Sequence, residues 1–301
     1  MNDPDTRPAT LRHAATAIVL REHQGEIHVL MTRRHAALAF MGGMWVFPGG
    51  TLAAADQSEA ARKLVLDAES CSHKLLDLTG RALPQKICLA LAIAACRETF
   101  EETGVLLARR ADGTSCNPDQ LERLQAQRNV IAADPTLFVS TLLHEELRLD
   151  VAQLVYWAHW ITPSNGPPRR FDTRFFIAAA PEAHDYIADT YETTECVWMS
   201  PEKLLAAAAQ GEMTIAQPTR YNLEDVRVSI AKYGSLAALL SNEANRSVGA
   251  IMPKLVREND KTVIVMPWDD SYQAIPGESV PEGQHYEPAI LALDSRVERD
   301  H

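Results

Sequence analysis

No stretch of the chain is apolar for long enough to cross a bilayer; the longest such run, Ile87 to Cys96, falls far short of the roughly 20 residues a spanning helix needs. The beginning, Met1-Asn2-Asp3-Pro4-Asp5, is polar and has no apolar segment of the secretory type. A basic surplus is also missing: 29 Lys and Arg stand against 40 Asp and Glu, for a net charge of −11. That balance argues against a partner held by its nucleic-acid backbone. It leaves a small anionic substrate open, because a bound metal ion reverses the local field. Cysteine is sparse and unpaired in pattern. The five, Cys71, Cys88, Cys96, Cys116 and Cys196, form no C-x-x-C, and an odd count without such pairs is expected of a reducing, cytoplasmic protein.

Several catalytic signatures are absent as well. His144-Glu145-Glu146 is not the H-E-x-x-H of a zinc protease, and the glycine pairs Gly42-Gly43 and Gly49-Gly50 make neither a Walker A loop nor a G-x-G-x-x-G fingerprint. There is no G-x-S-x-G elbow, no metal-ligand spacing among the histidines and no internal repeat.

What is present is a chain of 301 residues, 46% hydrophobic and 23% charged, enough for a sizeable core. Ala14 to Leu20 and Ile27 to Thr32 flank the turn His23-Gln24-Gly25-Glu26 and read as a hairpin. Phe40 to Gly50 brackets a short aromatic strand between glycine pairs, which suit tight turns or close backbone approach. Residues 57–83 read as helical and rich in Ala and Leu. Pro84 suits the first turn of the next helix, which should run to about Thr103 with Gly104 as its stop. Further helices are expected near Pro118–Ile131, Pro135–Leu147, 201–210 and 222–241. Further strands are expected at Leu154–Ile161, Arg169–Ile177 and Glu195–Met199. From Ala250 the chain turns polar and proline-rich and reads as an extension with one strand, Thr262–Met266, and a loose end.

The stretch that carries chemistry is Arg97-Glu98-Thr99-Phe100-Glu101-Glu102-Thr103-Gly104-Val105. On a helix Glu98, Glu101 and Glu102 fall at i, i+3 and i+4 and share one face, where like charges repel. A hard divalent cation such as Mg²⁺ relieves that repulsion, since it prefers carboxylate oxygens. Leu89, Ala92, Ile93, Cys96 and Phe100 fall on the opposite side and are expected to pack.

These residues match the second half of the Nudix box, G-x5-E-x7-R-E-U-x-E-E-x-G-U with U apolar. Thr99 stands at an apolar position. Gly50-x5-Asp56 resembles the first half, with Asp for Glu. Forty residues separate Asp56 from Arg97 where the box usually has seven. The chain thus resembles the Nudix hydrolase superfamily, and within it a subgroup with an interrupted box that includes peroxisomal coenzyme A diphosphatases. Phe47-Pro48-Gly49-Gly50 and Arg170-Phe171-Asp172-Thr173-Arg174-Phe175-Phe176 agree with that subgroup.

The resemblance implies an α/β fold, an α/β/α sandwich around a mixed sheet, in a Nudix domain over residues 1–244 with a helical insertion at 57–83, followed by an extension at 245–301. It implies hydrolysis of a diphosphate linkage in a small nucleoside-diphosphate derivative with Mg²⁺ or Mn²⁺, with coenzyme A or an acyl-coenzyme A as a candidate substrate and the choice among diphosphates open. Glu98, Glu101, Glu102 and the Gly49 carbonyl would ligate metal, and Glu98 or Glu101 would serve catalysis, Glu98 as the base. Arg97, Gly50, Asp56 and Gly104 would be structural. Leu30-Met31-Thr32-Arg33-Arg34 fits the start of a coenzyme A motif, in which Ala39 replaces a second arginine.

Arg34, Arg170 and Arg174 are candidates to hold phosphate, since a guanidinium offers a fork of donors; structural pairing, as of Arg174 with Asp172, is the alternative. Trp45 is a candidate to stack on a base, or else core. Glu195 is a late carboxylate for the site or a surface ion-pair member. The insertion is expected to cap the pocket or to build the interface of a homodimer. The competing function is a non-catalytic Nudix-fold module that binds a nucleotide, distinguished by metal-dependent product release.

Overall fold

A computed structural model of the chain describes residues 10–38, 41–66, 68, 75–181 and 193–298. Ala39 and Phe40 lie outside the described residues, as do Cys71 and much of the insertion between 67 and 74.

The hairpin forms as β1 (Leu11–His23) and β2 (Glu26–Arg34), turning through Gln24 and Gly25 at φ 51° and 82°. Short strands β3 (Trp45–Val46) and β4 (Gly49–Thr51) follow, then α1 (Glu59–Leu64) and the long α2 (Gln85–Thr103). Next come β5 (Ala108–Arg110), α3 (Pro118–Ala126), α4 (Arg128–Ala133), α5 (Pro135–His144) and β6 (Leu147–Leu149). Strands β7 (Val155–Ile161), β8 (Arg170–Ala179) and β9 (Thr193–Met199) lead to α6 (Pro201–Ala209), α7 (Gln217–Tyr233) and α8 (Leu236–Glu243). The last part holds β10 (Ala250–Ile251), β11 (Lys254–Glu258), β12 (Lys261–Val265), α9 (Pro288–Leu291) and β13 (Arg296–Glu298).

The large sheet is mixed, with strand order β10-β7-β8-β1-β2-β3; β9 adds to β2, and β4 adds to β1. β1 runs parallel to β8 along ten residue pairs from Leu11 with Arg170 to Leu20 with Ala179. Its other edge is shared: Ala14 to Thr16 pair with β4, and Leu20 to His23 pair with β2. The alternation of β1 sorts its side chains to two faces. Ala15, Ala17 and Val19 join a core with α2 and α5, while Ile18 and Leu20 join a second core with α6, α7 and α8. Helices on both faces of a mixed sheet make the expected α/β/α sandwich. No helix among the described residues is long and apolar enough to cross a membrane.

α2 begins after Pro84 and stops at Gly104, which takes the left-handed φ of 75° and donates its N–H to Phe100 O. A Cβ there would come within 2.8 Å of Arg128 Nη1, so the stop needs glycine for both its backbone and its space. The helix is not simply two-sided. Its apolar residues pack, but Arg97, Glu101 and Glu102 are buried too, because β4 and the turn carrying Asp56 cover the acidic face.

Two expectations change. Among its described residues the insertion contributes α1, a bridge from Val65 to Leu149 and a turn that bridges Leu76 to Ala82, and it packs inward: Ala61, Leu64 and Leu75 lie in the core shared with α2. The extension is not loose at its described end. β11, β12 and β13 form an antiparallel sheet, β10 pairs with β7, and Met266 and Ile290 enter the second core. A polar, proline-rich composition hid this, because the pairings that order it come from far along the chain.

Candidate active site

α2 carries its acids against the β4 backbone. Gly49 donates its N–H to Glu102 Oε2 at 3.3 Å. A Cβ on Gly50 would collide with the Glu98 carboxylate, so glycine at 50 lets that carboxylate lie on the strand itself. Both glycines pair with β1, Gly49 with Thr16 and Gly50 with Ala15, which fixes the strand under the acids.

Arg97 organises the cluster. Its Nε and Nη2 donate to the two oxygens of Asp56 at 2.9 and 3.0 Å, and Nη2 also donates to Thr51 O at 3.2 Å. Its Nη1 lies 2.9 Å from Glu98 Oε1 and 2.8 Å from Glu101 Oε2. Asp56 in turn accepts from Ala53 N at 2.8 Å. Burial opposes the Arg97 charge, but Glu98, Asp56 and Glu101 hold the guanidinium firmly protonated. Burial pushes Glu101 up to about 8 against the pull of Arg97, with Glu98 and Asp56 adding to the rise. Asp56 and Gly50, distant in sequence from α2, are thus brought together with it in space.

Three carboxylates, from Asp56, Glu98 and Glu101, therefore share one guanidinium, and Glu102 beside them accepts from Gly49 N. Glu101 Oε1 is buried and has no hydrogen-bond partner among the described residues. A surplus of carboxylate around an unsatisfied oxygen suits a hard divalent cation. Among the described residues no three His, Cys, Asp or Glu side chains already stand in a metal-holding group; Nη1 of Arg97 contacts both Glu98 and Glu101.

The candidate phosphate ligands are distributed differently. Arg174 is fully buried, pairs with Asp172 Oδ1 at 2.6 Å and donates to Leu76 O of the insertion at 2.5 Å. Arg170 is buried, pairs with Glu278 Oε2 at 2.5 Å and donates to Thr162 O at 3.2 Å. Both guanidiniums are committed to the chain itself, so their assignment to substrate is corrected to structural pairing. Trp45 is likewise corrected: its ring lies in the second core, and Phe47 packs edge-on against Phe175 at 6.3 Å. Glu195 forms a surface pair with Arg33 at 3.1 Å. Arg34 sits half-buried at the end of β2, with its Nε unpartnered among the described residues.

A second buried polar group was not legible from spacing. Asp172 accepts from His159 Nε2 at 2.6 Å and lies 3.1 Å from His13 Nδ1. Burial would raise the Asp172 carboxyl, but His13, His159 and Arg174 overcome it and hold it far below the usual range. Burial, with Arg174, pushes His159 down to about 4 despite Asp172. The only sequence hint was the alternation Arg170, Asp172, Arg174, which puts three charges on one strand face.

A mixed sheet between helical layers, with an Arg-Glu-x-x-Glu-Glu helix face closed on a Gly-Gly strand, defines a Nudix-fold hydrolase, an enzyme that cleaves diphosphate linkages. A family model described as the NUDT19 Nudix domain matches residues 7–226, and the chain belongs to that family. It is 27% identical over 287 residues to the acyl-coenzyme A diphosphatase NUDT19 of Xenopus laevis, covering 85% of this chain and 74% of that protein. It is 29% identical over 279 residues to the Homo sapiens protein of the same name, covering 81% and 72%. A crystal structure of a Nudix hydrolase from Alicyclobacillus acidocaldarius superposes with a TM-score of 0.60 at 26% identity, covering 77% of this chain and 96% of that one. Divalent-metal dependence is general to Nudix hydrolases.

Proposed function

We propose that this chain hydrolyses the diphosphate of coenzyme A or an acyl-coenzyme A, with Mg²⁺ or Mn²⁺. The observation that carries the reading is the closure of the split box: Arg97 on Asp56, Glu98 on Gly50 and Glu102 on Gly49. The names of the relatives support the substrate. Glu98, Glu101, Glu102 and the Gly49 carbonyl would hold the ion. When bound, it neutralises charge on the non-bridging phosphate oxygens and acidifies water. Arg97 orients Glu98 and Glu101, and Asp56 holds Arg97 in place. Glu98, 14% exposed at its side chain, is the least enclosed of the acids on Arg97 and takes the proton from the attacking water. Arg34 is the cation we assign to the substrate's phosphates. The free cysteines Cys88, Cys96, Cys116 and Cys196 support a reducing, cytoplasmic setting.

The test is a panel of diphosphates: coenzyme A, acyl-coenzyme A, NADH, ADP-ribose and dinucleoside polyphosphates, each with Mg²⁺, Mn²⁺ or chelator. Metal-dependent release of a phosphopantetheine product from the coenzyme A compounds is expected. Preference for another member overturns the substrate. Unchanged turnover in Glu101→Gln removes the assignment of Glu101.

A further inference from the structure

Lys254, on β11, is 3% exposed. Among the described residues no carboxylate pairs with it, and the nearby Glu278 is engaged by Arg170. Its Nζ donates instead to Tyr272 O at 2.9 Å, Ile275 O at 2.5 Å and Ser279 Oγ at 2.7 Å. The Tyr272 ring centroid lies 4.5 Å from it. All three ammonium hydrogens are therefore met by neutral oxygens, and a π-face lies alongside. Main-chain carbonyls and a hydroxyl that replace the water around a single positive charge are the coordination chemistry of a dehydrated monovalent cation.

We propose that Tyr272 O, Ile275 O and Ser279 Oγ form a monovalent-cation site whose resident ion is the chain's own ammonium, Lys254 Nζ. The chemical class of ligand is K⁺ or NH₄⁺, which match an alkylammonium in charge and approximate size. The site organises the loop between Tyr272 and Val280. That loop is otherwise pinned by Tyr272 Oη, which donates to Met252 O at 2.6 Å and accepts from Val280 N at 3.3 Å. The same loop presents Glu278 to Arg170, so the tethered cation helps seat the extension on β8. A buried ammonium with no counter-charge is costly unless its surroundings supply such dipoles. An ordinary lysine on a strand would turn its charge to water.

The test uses full-length Lys254→Ala, which removes the ion and its tether and leaves the oxygens. Its thermal midpoint, lowered in choline chloride, is expected to rise saturably by about 2 °C or more in KCl or NH₄Cl at equal ionic strength. The wild type, already occupied, should show no such difference, and neither should Lys254→Met, which fills the space without charge. Lys254→Ala with Ser279→Ala should need more salt for the same rise. A midpoint in Lys254→Ala that is the same in choline and potassium, or an equal potassium effect on the wild type, overturns the proposal. Should Lys254→Ala not fold, ¹⁵N-lysine spectra of the wild type decide. One slowly exchanging ammonium signal, lost in Lys254→Met, is expected, and its absence rejects the site.

Discussion

Arg97 and Asp56 bind each other through two hydrogen bonds, at 2.9 and 3.0 Å, across 41 positions of sequence. Both side chains are almost wholly shielded from water, at 2% and 0%. The pair closes the loop that interrupts the box. Closing a longer loop costs only slowly more entropy, so a fixed, buried contact can hold the two halves together whatever lies between them.

Removing Asp56 should therefore cost stability as well as activity. Asp56→Ala leaves Arg97 buried with Glu98, Glu101 and the Thr51 carbonyl as partners, so a loss near the lower end for a broken buried pair, about 3 kcal/mol, is expected. Asp56→Glu keeps the charge and adds one methylene to a closed site, which should cost about 1 kcal/mol through crowding. Denaturant unfolding of both variants measures the difference. Equal stabilities would show that the pair does not close the loop.

Gly50 tests the seat of Glu98. A methyl group there meets the carboxylate, and the β4 pairing with Ala15 prevents the strand from yielding. Gly50→Ala should displace Glu98 and lower kcat by about 100-fold, the scale of a misplaced catalytic group. Circular dichroism should stay that of the wild type. Full activity in a folded Gly50→Ala protein would remove Glu98 from the reaction.

The His159–Asp172 contact predicts acid lability. His159 is held at about 4 in the fold, below its ordinary value near 6.5, so between these two values the unfolded chain binds more protons. Stability is then complete above about pH 6.5 and is lost as pH falls toward 4, by about 3 kcal/mol. Asp172 acts in the same direction at lower pH, because its folded value is also depressed. His159→Gln should flatten the profile between pH 4 and 6.5. An unchanged slope in that variant would place the acid lability elsewhere.

The limits of α2 were legible because proline and glycine act locally on the backbone, and the hairpin because its alternation matches a strand. The acids could be found from their spacing, but their burial could not. It depends on β4 and on Asp56, which reach α2 only through the fold. Arg170 and Arg174 stood open between substrate and structural pairing for a related reason. Asp172, two positions from Arg174, was legible as a partner and is one, but Glu278 and the Leu76 carbonyl lie 108 and 98 positions from Arg170 and Arg174, and an arginine in a sequence looks the same whether substrate or protein will meet it. The extension misled through composition, because three short strands among prolines carry almost no periodic signal.

A cut after Ala244 looks harmless in the sequence and is not expected to be so in the fold. It removes Arg246, whose Nη2 lies 2.9 Å from Asp225 and whose guanidinium stacks 3.7 Å from the Trp157 ring. Burial already pushes Asp225 up to about 6 with Arg246 present, so the cut strands a buried carboxyl on α7. It also bares the edge of β7, which β10 covers, and strips Met266 and Ile290 from the second core. Glu278, the carboxylate on Arg170, goes with them. The chain 1–244 should therefore be insoluble or lack a cooperative thermal transition. Full-length Arg246→Met, which removes the guanidinium with its Asp225 pair and Trp157 stack and keeps the rest of the extension, should lose about 3 kcal/mol. A soluble 1–244 chain melting within a few degrees of the full protein would show that these contacts decorate a domain already complete. Loss of the transition in 1–244, with an intermediate loss in Arg246→Met, would show that the sheet and its extension fold as one unit.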